Sequence, residues 1–325
     1  MRAYDPTVMD VHLIDGTFEL FRYHHARGNN DPERGAVRGV LRSMVGLLEQ
    51  GGPGPDTPVT HLGVATDHVI ESFRNDLWPG YKSSAGVPAA LLAQFEPLEE
   101  ALRALGLIVW PMVDFEADDA LAAAASQAAA DERVRCVVIA TPDKDLGQCV
   151  VDDRIVQWDR MRDAVRDEAG VLAKTGVPPS SIPDWLALVG DSADGFPGLP
   201  GFGAKTAATL LRRFGHLEAV PEDPSAWGEG VRAAGKLAAT LRAGRETAYL
   251  FRGLATLVAD LDLGTTMDDL AWSGPTADFP LVCATYDAPD LVDRVAALVA
   301  ARAAHQLSSR HSVRGRLHTR NPDSG

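Results

Sequence analysis

Four short apolar runs rich in β-branched residues recur in the N-terminal half of the chain, and each leads to a carboxylate. They are Val11–Ile14, Val59–Ala65, Leu107–Trp110 and Val134–Ala140. Helix-length segments separate them, and apolar runs of this length are typical of strands buried on both faces of a parallel sheet. The alternation predicts an α/β fold with a doubly wound, mainly parallel sheet flanked by helices.

The carboxylates that follow these runs share one predicted location. Asp15 ends the first run, Asp67 follows the second, and short links containing proline lead from the third and fourth to the clusters 116–119 and 143–145. Carboxyl ends of neighbouring parallel strands meet at one edge of an open sheet, where ligands bind. The full set, with a fifth cluster further along, is Asp15, Asp67, Glu116, Asp118, Asp119, Asp143, Asp145, Asp191 and Asp194.

These oxygens indicate a site for two divalent cations. Mg²⁺ and Mn²⁺ prefer oxygen ligands, and two ions roughly 3.5–4 Å apart can activate a water and stabilise both oxygens of a phosphoryl displacement. Each cluster also has a structural alternative, since Asp118 and Asp119 precede an alanine-rich segment and acids favour a helix start. The convergence of four clusters on one edge favours the metal site, and with it a phosphodiesterase.

Composition narrows the class of protein. The net charge of −14 argues against a surface that binds polyanions non-specifically, unless the acids gather in one cation-binding pocket. Three cysteines form no CxxC pair, so neither a zinc site nor a disulfide framework is indicated. No uncharged apolar run is long enough to span a membrane. We expect a cytoplasmic protein without membrane contact.

The pattern changes after a proline-rich junction at Pro178–Pro183, where strand-like runs give way to helical periodicity. We expect a metal-dependent α/β domain over residues 1–182 and a helical domain over 183–303. The C-terminal segment carries several arginines among Ser, His and Gly, which predicts a disordered basic tail over 304–325.

A glycine-rich segment within the second domain is a candidate phosphate contact. Gly198, Gly201 and Gly203 precede the predicted amphipathic helix Lys205–Phe214, so backbone amides and an ammonium group could meet a phosphate there. A plain helix–turn–helix corner is the alternative. A nucleotide-binding P-loop is excluded, because Ala204 separates Gly203 from Lys205 and the preceding segment is helical.

Several motifs in unbroken order resemble the 5′→3′ exonuclease and flap endonuclease family, in particular the nuclease domain that precedes bacterial DNA polymerase I and its stand-alone relatives. The resemblance covers roughly residues 8–260, and several motifs in order make it specific. The motifs are Ile14–Gly16, Ser72–Arg74, Gly80–Lys82, Glu116–Asp119, Thr141–Leu146, Gly190–Asp194 and Lys205–Ala207.

The resemblance implies a PIN-like, resolvase-like nuclease domain followed by a helix–three-turn–helix element that grips duplex DNA. It implies a structure-specific 5′→3′ exonuclease and 5′-flap endonuclease of DNA replication and repair, which leaves a 5′-phosphate. The implied substrates are branched, nicked or 5′-flap duplexes, including those with RNA at the 5′ end. The implied cofactors are two Mg²⁺ or Mn²⁺ ions, with K⁺ at the hairpin.

The resemblance also assigns roles to residues. It implies a first metal group of Asp15, Asp67, Glu116, Asp118 and Asp119, with Asp143 and Asp145 between the two sites and Asp191 and Asp194 on the side of the second domain. Asp118, Asp119 and Asp143 are the expected direct ligands. Arg22 and Lys82 are the implied catalytic cations. The implied DNA contacts are Arg74, Tyr81, Gly198, Gly201, Gly203, Lys205 and Thr206.

One departure bears on substrate choice. No basic residue occurs between Lys82 and Arg103, and Ala89–Leu105 is predicted to form one amphipathic helix that carries three glutamates. An arch that threads single-stranded DNA should be basic. We therefore expect a change in rate or in flap-versus-end preference. A branched-DNA-binding protein with little or no catalysis, and an RNA-directed nuclease on the same core, remain alternatives.

Overall fold

The computed structural model describes residues 8–54 and 57–317, with side chains described up to Ala304. A six-stranded sheet has the order β3-β2-β1-β4-β5-β6, and every neighbouring pair is parallel except β5 and β6. The four predicted strands are confirmed as β1 to β4. The strands are β1 Met9–Asp15, β2 His61–Asp67, β3 Ile108–Met112, β4 Val134–Ala140, β5 Ile155–Asp159 and β6 Ala164–Arg166.

Helices cover both faces of the sheet and build a second, helical unit beyond it. In the α/β part they are α1 Gly16–His24, α2 Gly35–Gln50, α3 Phe73–Leu77, α4 Ala89–Leu92, α5 Phe95–Ala104, α6 Ala117–Ala130 and α7 Glu168–Thr175. Those further along are α8 Ile182–Val189, α9 Ala204–Phe214, α10 Ala234–Ala243, α11 Arg245–Ala255, α12 Phe279–Thr285 and α13 Asp290–Leu317. None of the helices described has the length and apolarity needed to cross a membrane.

The central strand β1 is buried on both faces, as its continuous apolar run predicts. Val11 and Leu13 belong to the apolar cluster that includes α6, whereas Ile14 belongs to the cluster that includes α2 and α5. Successive side chains of a strand point to opposite faces, so one apolar run serves both layers. The layers hold the carboxyl ends of β1, β2 and β4 at one edge.

The predicted single helix over Ala89–Leu105 is wrong in one respect, because it is broken between α4 and α5. Pro97 lies in the first turn of α5. A proline has no amide hydrogen and its ring collides with the carbonyl four residues earlier, so it is tolerated at a helix start but not inside one. The buried Gln94 fills the break and donates its side-chain amide to the carbonyl oxygens of Pro32 at 2.8 Å and Ala90 at 2.9 Å.

The C-terminal part of the predicted domain 183–303 packs elsewhere. Residues of α8 to α11 form their own apolar cluster, but Trp272, Phe279 and Leu291 join the cluster of α2 and α5. The indole of Trp272 donates to the Leu105 carbonyl at 2.8 Å. Residues after α11 therefore belong, by packing, to the α/β part.

The expected disordered tail over 304–325 is wrong in its first part, since α13 continues to Leu317. The sequence explains this, because alanine and leucine are frequent and neither proline nor glycine occurs between Asp290 and Val313. Residues 318–325 of the predicted tail lie outside the described residues.

His12 on β1 should make stability depend on pH. It is fully buried, neither ring nitrogen has a hydrogen-bond partner, and burial lowers its pKa from 6.5 to about 4; Asp10 opposes this shift, and Arg160 and His61 add to it. The unfolded chain takes up this proton at higher pH than the folded one, so this contribution is complete above pH 6.5 and lost towards pH 4. We expect urea denaturation to show about 2 kcal/mol less stability at pH 5 than at pH 7 from this group.

Leucine at position 12 should remove this part of the pH dependence, while leucine at the exposed His25 should leave it unchanged. An unchanged difference between pH 5 and pH 7 in His12→Leu would contradict the prediction.

Candidate metal centre

Asp15 and Asp67 end neighbouring parallel strands and are built into the starts of the helices beside them. Asp15 accepts hydrogen bonds from the Phe18 amide at 2.8 Å and from the Thr141 hydroxyl at 2.9 Å. Asp67 accepts from the Ala117 amide at 2.6 Å. Each carboxylate is therefore held at the N-terminus of a helix, Asp15 at the start of α1 and Asp67 at the start of α6. Both carboxylates are almost fully buried.

Asp118 and Asp143 complete the first carboxylate group. Burial raises the pKa of Asp118 well above its usual range, and the negative charges of Asp143 and Asp15 raise it further. The pKa of Asp15 is raised to about 7, first by burial and then by Asp67 and Asp143 against its hydrogen bonds. Asp15, Asp67 and Asp143 therefore lie close enough to Asp118 for their charges to raise its pKa, although among the described residues only the second group below has oxygens within 4.8 Å of one another. Like charges held together in this way fit a bound cation.

A second group forms where the loop after β4 meets the loop after α8. Asp145, Asp191 and Asp194 each offer an oxygen, and these oxygens lie within 4.8 Å of one another. One oxygen of Asp145 is buried without a hydrogen-bond partner, and burial together with the charge of Asp143 raises the pKa of Asp145 well above normal. The Lys144 ammonium contacts Asp191 and lies 3.7 Å from Asp145. An oxygen-only donor set that includes a buried oxygen without a hydrogen bond fits Mg²⁺ or Mn²⁺.

Lys82 carries a positive charge between the two groups. Its ammonium lies 2.7 Å from a Glu116 oxygen and 3.7 Å from Asp194. Burial lowers the pKa of Lys82, but Asp67, Glu116 and Asp194 outweigh it and raise the pKa well above normal. Lys82 is therefore a fixed cation beside these carboxylates, and its catalytic role stays a prediction.

Glu116 supports this arrangement through its hydrogen bonds. Besides Lys82, it accepts from the hydroxyls of Ser72 at 2.7 Å and Tyr81 at 3.4 Å. Burial raises its pKa, but Lys82 and Arg74 lower it more, so the carboxylate stays ionised. The predicted DNA contact at Tyr81 is corrected, because the ring is buried and its hydroxyl faces Glu116 rather than solvent.

Two predicted roles fail because Arg74 and Asp119 bind each other. Both are fully buried, and the guanidinium donates to the two Asp119 oxygens at 2.7 Å each and to the carbonyl oxygens of Leu254 at 2.8 Å and Thr256 at 3.0 Å. Asp119 is therefore not open to a metal, nor Arg74 to DNA. Neighbouring helix residues point about 100° apart, and here Asp119 turns to Arg74 while Asp118 turns to Asp15 and Asp143.

Arg22 lies on α1, and its guanidinium contacts Glu19 and lies 4.3 Å above the Tyr23 ring. Glu19 also accepts from Arg160 at 3.0 Å. Glu19 and Arg160 were absent from the sequence interpretation, since an acid in a first helical turn is ordinary and Arg160 follows β5, which the sequence did not predict.

The glycine-rich turn between α8 and α9 divides into a packed part and an open part. Gly198 has φ +67, and a Cβ there would meet the Gly190 amide nitrogen at 2.3 Å, so this glycine allows two backbone segments to touch. Gly201, Gly203 and Lys205 are exposed, and α9 begins directly after Gly203. Thr206 is partly buried in its first turn. The exposed part can approach a phosphate; Gly198 serves the fold.

Two family models together match most of the chain. Residues 10–176 match the model of the 5′–3′ exonuclease N-terminal resolvase-like domain, and residues 177–278 match that of the 5′–3′ exonuclease C-terminal SAM fold. The chain belongs to the 5′–3′ exonuclease family. The resemblance found in the sequence and the two-part fold are therefore confirmed.

Relatives of this chain include long and short proteins. It is 38% identical over 271 residues to DNA polymerase I of Pseudomonas aeruginosa, a match that covers 79% of this chain but only 28% of the polymerase. A 5′–3′ exonuclease of Aquifex aeolicus is 30% identical over 270 residues, which cover 82% of this chain and 87% of the relative.

Solved structures share the fold of this chain at low sequence identity. T5 5′-exonuclease with bound zinc has a TM-score of 0.60 at 17% identity, covering 89% of this chain and 97% of the other. The catalytic core of Rad2 in complex with DNA substrate has a TM-score of 0.57 at 15% identity, covering 91% of this chain and 95% of the other.

Gly195 should be required for the placement of Lys82 and Asp194. It has φ +81, and a Cβ there would lie 2.1 Å from the Gly80 carbonyl oxygen, where the Lys82 amide donates to the Asp194 carbonyl at 2.9 Å. We expect Gly195→Ala to lower stability by more than about 1 kcal/mol, because alanine is strained at this φ, and to weaken cleavage of a labelled DNA duplex. Chemical denaturation and gel assays measure both.

Gly253→Ala is the matched control, because its Cβ would meet nothing within 4 Å and it lies in α11. It should keep or slightly increase stability. Equal behaviour of the two variants would contradict the prediction for Gly195.

Proposed function

We propose that this chain is a structure-specific 5′–3′ nuclease that hydrolyses DNA phosphodiester bonds at 5′ ends and 5′ flaps during replication and repair. The observation that carries the proposal is the pair of carboxylate groups joined through Asp143 at the carboxyl edge of the sheet. The free thiols of Cys136, Cys149 and Cys283 support the cytosol as its compartment.

We propose two Mg²⁺ or Mn²⁺ ions as cofactors. Asp15, Asp67, Asp118 and Asp143 would hold the first, and Asp145, Asp191 and Asp194 would hold the second, with Asp143 between them. Bound divalent cations supply activation of a water and neutralisation of charge on the phosphate oxygens. The protonated Lys82, fixed by Glu116, adds a donor to the phosphate. The product would carry a 5′-phosphate.

Duplex binding is proposed at the open part of the glycine-rich turn. Exposed amides at the start of α9 and the ammonium of Lys205 suit a phosphate of one strand, and the motif resemblance supports K⁺ there. Solved structures of similar fold that contain DNA, that of the Rad2 catalytic core among them, support DNA as the partner. A 5′ segment of RNA is part of the same proposal.

The region after Lys82 supports a preference for ends and short flaps over long ones. Glu71 accepts from the Ser84 amide at 2.7 Å and the Ser84 hydroxyl at 2.6 Å, which fixes this loop, and α4 is a single turn. No basic side chain occurs from this loop to Arg103. Little positive charge is therefore available there to draw a long single strand past the metal centre.

The test uses a panel of end-labelled duplexes with a nick, a recessed 5′ end, a short flap, a long flap and an RNA flap. With Mn²⁺ we expect products from the DNA nick, end and short flap, and slower cleavage of the long flap. Binding without cleavage in every metal tested would favour the branched-DNA-binding alternative. Cleavage confined to the RNA flap would favour the RNA-directed alternative.

A further inference from the structure

Glu19 is a buried carboxylate that belongs to neither carboxylate group of the metal centre. It lies on α1, its side chain is 1% exposed, and it contacts the guanidinium groups of Arg22 on one side and Arg160 on the other. Arg160 also donates to the Ser43 hydroxyl at 3.0 Å. One buried acid therefore binds two arginines from different elements, the second located just after β5.

The geometry of α1 connects this acid to the metal centre. Asp15, Glu19 and Arg22 are spaced four and three residues apart, so they share one helix face. Arg22 is two turns, about 10 Å along the axis, from Asp15. Helical side chains lean towards the N-terminus, so Arg22 leans towards Asp15, and Glu19 meets its guanidinium one turn nearer to that end.

The contacts of Arg22 with Glu19 and Tyr23 use only some of the hydrogen-bond donors of its guanidinium. One terminal nitrogen contacts Glu19, and the group lies 4.3 Å above the Tyr23 ring. Its Nε is buried and has no hydrogen-bond partner. A guanidinium has five N–H donors, so donors that Glu19 does not use remain for a phosphate oxygen, to which a charged donor binds strongly.

We infer that Glu19 is a positioning residue, which holds the Arg22 guanidinium towards the metal centre so that it can bind a phosphate of the DNA strand. Arg160 balances the buried charge of Glu19 from the other side. This inference rests on the proposed nuclease function. A long arginine side chain has many rotamers, and fixing it before the substrate arrives lowers the entropy lost in the reaction.

A double-mutant comparison distinguishes positioning from a merely structural role. Single-turnover cleavage of a labelled 5′-flap duplex is measured for the wild type, Glu19→Gln, Arg22→Ala and the combination. We expect Glu19→Gln to lower the cleavage rate constant about 10- to 100-fold with little change in duplex affinity. In the Arg22→Ala background the same change should alter the rate less than about twofold, because its effect passes through Arg22.

Two controls keep the result interpretable. Glu49→Gln removes a carboxylate that pairs with Arg294 at the other end of α2, and it should leave the rate unchanged. Arg160→Lys should retain more activity than Arg160→Met, since it keeps a charge beside Glu19. If Glu19→Gln does not fold, Arg160→Lys and Arg160→Met are each measured alone and combined with Arg22→Ala in its place.

A readout without catalysis separates this inference from the proposed function. The Arg22 Nε–H signal in ¹⁵N NMR, assigned by its loss in Arg22→Ala, should exchange slowly with solvent in the wild type and faster in Glu19→Gln. A wild type that leaves every duplex uncut would sink the proposed function, while this signal still decides the positioning of Arg22. The inference would be overturned if the Arg22 Nε–H exchanged with solvent at the same rate in Glu19→Gln as in the wild type. It would also be overturned if Glu19→Gln lowered the cleavage rate as much in the Arg22→Ala background as in the wild type.

Discussion

Asp118→Asn should abolish most cleavage and at the same time make the metal-free protein more stable. Burial and the charges of Asp143 and Asp15 raise the pKa of Asp118, so its ionised form is unfavourable in the folded protein. A neutral amide of the same shape relieves that repulsion but loses a negative ligand for the cation. We expect cleavage of a flap duplex to fall by at least about 10²–10³-fold, while the urea midpoint in EDTA rises.

The opposite signs make this prediction specific. Asp114→Asn changes an exposed carboxylate just before the same helix, and it should alter neither quantity appreciably. Lower stability of Asp118→Asn in EDTA would show that Asp118 is a structural cap. Retained cleavage would remove it from the metal centre.

Arg74→Met should produce the largest loss of stability among the single changes considered. The guanidinium joins Asp119 of α6 to the carbonyl oxygens of Leu254 and Thr256 at the end of α11, with no exposure to solvent. Removing it leaves a buried carboxylate and two carbonyl groups without this partner. Loss of one member of a buried ion pair costs about 3–5 kcal/mol.

Urea denaturation of the metal-free proteins measures this loss. Arg133→Met is the control, since Arg133 forms a half-exposed pair with Asp131 and such pairs contribute little. If Arg74→Met does not fold, Arg74→Lys should fold with a smaller loss, because it keeps the charge but not the paired donors. A stability change equal to that of the control would contradict the structural role of Arg74.

Much of the fold followed from the sequence because its signals are local. The strands β1 to β4 are continuous apolar runs, and the carboxylates at their ends had to meet at one edge of a parallel sheet. The strands β5 and β6 were not predicted, because they are short and β5 carries polar residues such as Gln157 and Asp159. The return of Trp272 to the α/β part depends on distant packing, which periodicity does not reveal.

The sequence predicted which residue types form the site, but not which way each side chain points. Asp118 and Asp119 look equivalent in the sequence, but only the helix phase shows that Asp119 turns to Arg74. The DNA contact that the resemblance implied for Arg74 is wrong for the same reason, because the side chain turns inwards to Asp119. The role of Glu19 could not be predicted, because its second partner, Arg160, is far away in the chain and only the fold brings the two together.

DNA cleavage by this chain should depend on divalent cations held by the two carboxylate groups. The most direct measurement is the cleavage rate of a 5′-labelled flap duplex over a Mn²⁺ titration, for the wild type and for an Asp118→Asn, Asp143→Asn double variant, with EDTA as reference. We predict a rate that rises to saturation with Mn²⁺ in the wild type and stays at the EDTA background in the double variant. Cleavage in EDTA, or a double variant as fast as the wild type, would contradict the account.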